Sequence, residues 1–240
     1  MSATEIVDET AGVVLRRVVV GPLRTNCWIV HPYGSLSAVV VDPGDEPERV
    51  LAATAGLDVA AVVLTHSHWD HVLAVPALIE IWGLEPWMHP ADKPVWPHEL
   101  EYLARHGHFD AGTATAQLLE AGHSLTTSQP LWNGAFVPMG DGDTIRLDRL
   151  DIRVLHTPGH TPGGVSLLVG GRHLLTGDTL FPGGPGLTGW PLADFPTIVA
   201  SIERRLLPLP GATAVHPGHG PSTTIAAERP ALPAWIARGW

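Results

Sequence analysis

Through the first third of the chain, apolar residues come in short runs divided by turn residues. Val13 to Val20, Asn26 to His31 and Ala38 to Asp42 read as strands, separated by Gly-Pro and Pro-Tyr-Gly. Glu46 to Ala55 predicts a short helix. Asp58 to Leu64 (DVAAVVL) is a continuous apolar run, the pattern of a strand buried on both faces. Residues 71–82 read as a helix that Pro76 either kinks or divides. Strand patterns return at Thr144 to Leu147, Asp151 to His156, Gly164 to Val169, His173 to Thr176 and Ala212 to His216. Phe195 to Leu207 is amphipathic, with Ile198, Ile202 and Leu206 on one face. Residues 223–240 predict a helical tail interrupted by Pro230 and Pro233. Residues 91–140 are rich in Trp, His and Pro, with helical character at Glu99 to His106 and Ala114 to Ala121. The plan is strands then helices, twice over, which belongs to the mixed α/β class.

Composition narrows the function. A chain of 240 residues suffices for one domain with a large core, and 45% hydrophobic against 16% charged residues excludes a disordered protein. A net charge of −10 argues against binding nucleic acid, which needs clustered Lys and Arg. One cysteine, Cys27, rules out an internal disulfide and fits a reducing compartment. The first twelve residues carry Glu5, Asp8 and Glu9 without an apolar run, so no secretion signal is expected. No stretch approaches the length of a membrane span, and a cytoplasmic location is expected.

The chemistry concentrates in four strings. His66-Ser67-His68-Trp69-Asp70-His71 follows the buried strand directly. A strand end breaking into a loop projects His66 and His68 toward one point, while Asp70 and His71 face a neighbouring one. Their nitrogen and oxygen donors suit zinc, iron or manganese; the bland alternative is a histidine-rich surface loop. In His156-Thr-Pro-Gly-His160-Thr-Pro-Gly-Gly, Pro158 and Gly159 forbid a helix, so His160 on the turn is the ligand candidate and His156 a supporting or core residue. Asp178, in Thr-Gly-Asp-Thr-Leu-Phe, is by itself indistinguishable from an ordinary capping acid. In His216-Pro-Gly-His219-Gly, His219 has glycine on both sides and is the better ligand, which leaves His216 structural. Asp42, in Val-Asp-Pro-Gly, reads either as an acid orienting a ligand histidine or as a plain turn residue. Each string lies at the C-terminal end of a predicted strand, where active-site loops gather.

These strings, together with Asn26-Cys27-Trp28, resemble the metallo-β-lactamase superfamily and within it the glyoxalase II-like hydrolases. The resemblance implies a four-layer αββα sandwich formed by residues 1–240 as one domain, with an insertion at 91–140 and a short tail at 223–240. It implies a first metal held by His66, His68 and His160, a second held by Asp70, His71 and His219, and Asp178 bridging both. Two divalent ions are expected, zinc first and iron or manganese as alternatives. Their bridging hydroxide would attack a thioester or ester carbonyl of a small molecule, with Asp70 as the catalytic acid–base group. The runner-up is a mononuclear iron oxidoreductase of the persulfide dioxygenase type. Three departures limit the transfer. After His219 only Arg229 and Arg238 are available to grip glutathione. Trp96, His106, His108 and Trp132 in the long 91–140 span form either a lid or a surface elaboration, and His106 with His108 makes at most a minor metal candidate. Gly-Gly-Pro-Gly-Leu-Thr-Gly-Trp at 183–190 changes one wall of the pocket, which Trp69 and Trp190 are expected to line. Cys27, inside an apolar strand, is expected to be inert.

Overall fold

Strand β2 (Val13–Val20) buries Val13 to Leu15, Val18 and Val20 and leaves Arg16, Arg17 and Val19 partly exposed, and β3 (Thr25–Pro32) is buried on both faces. The computed structural model describes residues 4–9, 12–99 and 134–239. It places both strands in a seven-stranded sheet ordered β1 (Glu5–Asp8), β2, β3, β4 (Ser37–Val41), β5 (Asp58–Val63), β6 (Pro86–Met88), β7 (Val137–Pro138). Pairing is antiparallel from β1 to β4 and parallel from β4 to β7. The second sheet has six strands, drawn from β8 (Thr144–Leu147), β9 (Leu150–His156), β10 (Val165–Val169), β11 (His173–Gly177), β14 (Ala214–Pro217) and β15 (Thr223–Thr224). Their order is β15-β14-β11-β10-β9-β8. A two-stranded ribbon, β12 (Leu180–Phe181) with β13 (Gly184–Pro185), stands apart.

The layers follow from which apolar faces meet. Leu15, Trp28, Val39 and Val63 of the first sheet share one core with Ile152, Val154, Leu167 and Leu175 of the second. The outer face of the first sheet, with Ile29 and Val40, packs on Val50 and Ala53 of helix α1 (Pro47–Ala53) and Leu78 of a later helix. The outer face of the second sheet, with Leu174 and Val215, packs on Ile198, Ile202, Leu206 and Trp235. Helix, sheet, sheet, helix is the four-layer αββα sandwich that the family resemblance implied.

Pro76 divides the predicted 71–82 helix. One turn, α2 (Trp69–Val72), is followed by α3 (Val75–Trp82), whose first turn accommodates the proline's missing N–H. The amphipathic segment runs as α4 (Phe195–Ser201) and continues as a π-helical turn, Ile202–Leu206, that keeps its apolar face on the sheet. The tail breaks into Ile225–Glu228, a 3-10 turn at Arg229–Ala231, and Leu232–Arg238. Strands β1, β6 and β7 had no reading in the sequence; they have four, three and two residues, too few to show a period.

Within the 91–140 span, Val95 and Trp96 are buried, and Trp96 joins Leu64, Val72, Val75 and Met88 in a small core instead of overhanging a cleft. Met139 belongs to the inter-sheet core. The predicted helices beyond Glu99, together with His106, His108 and Trp132, lie outside the described residues. Among the described residues, no helix is long and apolar enough to cross a membrane.

Candidate metal centre

The loops that carry the four strings meet at one end of the sandwich. Backbone pairing brings them there: Asn26 N–H donates to Gly218 O at 2.6 Å, and the Asn26 amide donates to Pro217 O and Gly220 O. The Trp28 indole adds a 3.3 Å bond to Pro217 O. Close packing is obligatory at two glycines. A Cβ on Gly218 would collide with Asp178 Oδ1 and His71, and one on Gly44 would collide with the Asp70 carbonyl.

His66, His68 and His160 offer donor atoms within 4.8 Å of one another, and so do Asp70, His71 and His219. The Asp178 carboxylate lies between the groups: Oδ2 is 3.7 Å from His160 Nε2 and 3.5 Å from His219 Nε2, and Oδ1 is 3.6 Å from His71 Nε2. All seven residues singled out in the sequence therefore converge. A third grouping of Asp42, His66 and His71 is geometrically possible. The Asp42 oxygens are already engaged, however, by Thr65 N–H at 2.7 Å, the Thr65 hydroxyl at 2.6 Å and His71 Nδ1 at 3.1 Å.

The outer edges of the rings fix which nitrogen faces inward. His71 Nδ1–H donates to Asp42, His160 Nδ1–H to Leu187 O at 2.7 Å, and His219 Nδ1–H to Leu23 O at 3.0 Å. His66 Nδ1 lies 3.0 Å from the Thr65 hydroxyl, whose own proton goes to Asp42. Each of these rings thus turns Nε2 toward its neighbours. His68 is reversed: Nε2 faces Glu99 at 3.8 Å, and Nδ1 meets His160 Nε2 at 2.9 Å. Asp70 Oδ2 accepts the Thr25 hydroxyl at 2.9 Å.

This arrangement fits a cation. His71 Nε2 and His219 Nε2 confront each other at 3.3 Å with their outer nitrogens already donating. His66 Nε2 and Asp178 Oδ1 are buried without a hydrogen-bond partner, which a buried polar atom tolerates poorly. The titration pattern agrees. Burial works against charge on His71, but Asp70, Asp178 and Asp42 outweigh it and hold the ring up to about 9. For His219, burial is likewise outweighed by Asp178 and Asp70, which raise it to about 11. Asp178 is driven well below the usual carboxylate range: burial opposes this, and the surrounding histidines prevail. For His68 the balance is reversed: burial and His160 outweigh Asp70 and Asp178 and hold it down to about 3. The carboxylates thus favour positive charge at the inward face of His71 and His219.

Sequence reasoning missed several supports. Asp92 is fully buried; its carboxylate accepts Ser67 N–H at 2.9 Å and Gly163 N–H at 2.6 Å. It thereby ties the loop between His66 and His68 to the loop after His160, and burial pushes its carboxyl up to about 6. Thr25, Thr65 and Glu99 were also missed, because each reaches the site through a contact distant in sequence or through an unremarkable hydroxyl. Asp42 sits in the left-handed region at φ 50°, a conformation that aspartate accepts more readily than most residues. His156 lies outside the centre, stacked on His89 at 4.1 Å, and His216 packs against Trp28 at 5.0 Å. Cys27 is fully buried and its thiol is pushed up by burial, as expected of an inert side chain. The centre opens into a cleft of about 620 Å³ lined by Trp69, Trp190, Phe181, Leu187 and the 182–186 turn.

A profile of the metallo-beta-lactamase superfamily matches residues 20–219, and the chain belongs to that superfamily. It is similar to hydroxyacylglutathione hydrolase GloC of Haemophilus influenzae, 32% identical over 88% of this chain and 92% of that protein. Among solved structures it is similar to TTHA1623 in a di-iron-bound form, 37% identical with a TM-score of 0.68, covering 89% of this chain and 96% of the other. It is also similar to ETHE1 from Myxococcus xanthus, 26% identical with a TM-score of 0.68 over 93% and 84% of the two chains.

Proposed function

We propose that the chain is a dinuclear metallo-hydrolase acting on a thioester or ester of a small molecule. One observation carries this reading: two donor clusters lie side by side with the Asp178 carboxylate between them. His66, His68 and His160 would hold one divalent cation, Asp70, His71 and His219 the other, and Asp178 both. Zinc is the proposed metal, with iron or manganese as alternatives; the di-iron form of a 37% identical relative keeps iron in consideration. When bound, such a pair of cations supplies hydroxide at neutral pH and polarises a carbonyl oxygen.

The chain's own residues do the remaining work. Asp70 Oδ2, fixed by the Thr25 hydroxyl, orients the attacking water and takes its proton. The outer hydrogen bonds of His66, His71, His160 and His219 keep their inward nitrogens aimed at the reacting end of the cleft. Trp69, Phe181, Leu187 and Trp190 give the cleft an apolar wall for the acyl group. Arg238 is the one Lys or Arg among the described lining residues, so an anionic group on the thiol or alcohol carrier is accommodated at that end.

The test is metal content measured beside hydrolysis of a panel of thioesters, esters and lactones. Two ions per chain with turnover of at least one class is expected. A fully loaded protein that cleaves none of them would overturn the reading. The similarity to ETHE1 supports the second reading, an iron oxidoreductase. That reading requires one iron per chain and oxygen uptake with a persulfide, and no hydrolysis.

A further inference from the structure

Away from the metal centre, four polar residues form an unbroken chain across the end of the second sheet. The exposed Ser222 hydroxyl lies 2.8 Å from His216 Nδ1. His216 Nε2 lies 3.1 Å from His173 Nδ1, and His173 Nε2 lies 3.1 Å from Asp8 Oδ2. One assignment of protons satisfies every contact: Ser222 O–H donates to His216, His216 Nε2–H to His173, and His173 Nε2–H to the Asp8 carboxylate. The rings are inclined by only 25°, so the bonds run nearly in a shared plane. His216 is 2% and His173 7% exposed, whereas the serine faces solvent.

We propose that Ser222 is a second nucleophilic site, one that takes an acyl group from an activated ester or thioester. The geometry is the nucleophile–base–orienting-group arrangement of serine hydrolases, with a second imidazole inserted before the carboxylate. As Ser222 Oγ bonds to the acyl carbonyl, its proton passes to His216 Nδ1. The departing thiolate or alkoxide collects that proton, and water attacking the acyl-serine reverses the sequence and restores the hydroxyl. In that assignment His216 Nδ1 carries no proton and lies 2.8 Å from the hydroxyl it deprotonates. The positive charge formed transiently on His216 faces, through His173, the Asp8 carboxylate. Arg17, ion-paired with Glu5, donates to the Gly220 carbonyl at 3.1 Å on the same turn. None of these residues belongs to the metal centre, so the site stands independently of the proposed metallo-hydrolase activity.

The probe is an alkyl fluorophosphonate, which gives a stable serine adduct, applied to the metal-loaded full chain and read by peptide mass spectrometry. A single dominant adduct on Ser222 is expected. Ser222→Ala should abolish it and leave hydrolysis in the metal cleft unchanged. His216→Gln should slow labelling at least tenfold and Asp8→Asn, on the edge strand β1, several-fold, with folding of both variants checked by circular dichroism. Absence of an adduct at Ser222, or labelling at the wild-type rate in the folded Asp8→Asn and His216→Gln proteins, would overturn the proposal and leave the chain a structural staple between β1 and the second sheet.

Discussion

Two groups of histidines lie at the ends of these strands, and their hydrogen bonding runs in opposite senses. In the Asp8–His173–His216–Ser222 chain, donors and acceptors alternate, so the cluster satisfies itself with no added charge. In the metal centre the outward nitrogens are spent on Asp42, Leu187 O and Leu23 O, and the inward ones are left facing each other and three carboxylate oxygens. Burial lowers His216 and His173 in the first cluster, whereas in the second the carboxylates overcome burial and raise His71 and His219. A count of histidines does not separate a self-satisfied hydrogen-bonded cluster from a metal centre. The direction of the bonds on the far side of each ring does.

That contrast can be broken most sharply at Asp178. Asp178→Asn removes the charge shared by both donor groups, and metal content and hydrolysis should fall together, with kcat/KM down by about 10³-fold or more. Full activity in this variant would end the bridging assignment. Next in size is the dependence of metal uptake on pH. The surrounding carboxylates raise both His71 and His219, and the 3.3 Å Nε2–Nε2 contact between the two rings holds a proton on one of them, so loading must displace at least one proton at pH 7. Affinity should therefore rise with pH, by about tenfold or more per unit near neutrality. Calorimetry in buffers of different ionisation enthalpy should count at least one proton released per chain. Release of none would remove the raised pKa values from the account.

Asp42→Asn tests the outer bonds themselves. Weakening the support of His71 and Thr65 should cost about 10–100-fold in metal affinity, while the Asp8–His173–His216 chain stays intact. Equilibrium dialysis measures the first and thermal unfolding the second. The smallest effect on metal belongs to His216→Gln, which should leave metal content unchanged and cost about 1–3 kcal/mol of stability through lost buried hydrogen bonds. Metal loss in that variant would show that the two clusters are coupled.

Much of this was legible in one dimension. Short apolar runs bounded by turn residues placed β2 to β5 and β8 to β11 within a residue or two, because a strand packed into a core must be apolar where it is buried and ends where a turn begins. His66, His68, Asp70 and His71 sit so close together that a single strand end aims them, and the string is informative without any tertiary contact. The two-sheet stacking, by contrast, came from resemblance to a family and not from the order of elements. Asp92 and Thr25 left no trace, since an isolated buried acid or hydroxyl looks like any other until its partners arrive from 25 to 71 residues away.

The sequence by itself determined which residue types were available and which of them a turn or strand end would present. Only the tertiary structure decided that His160, Asp178 and His219 meet the first four. Their meeting depends on the parallel register of β11 beside β14, on Gly218 passing under Asp178, and on Asn26 pulling the 217–220 turn across the gap between the sheets. Local geometry reaches only a few residues along a chain, whereas a site with donors on both sheets exists only once the faces between them have packed.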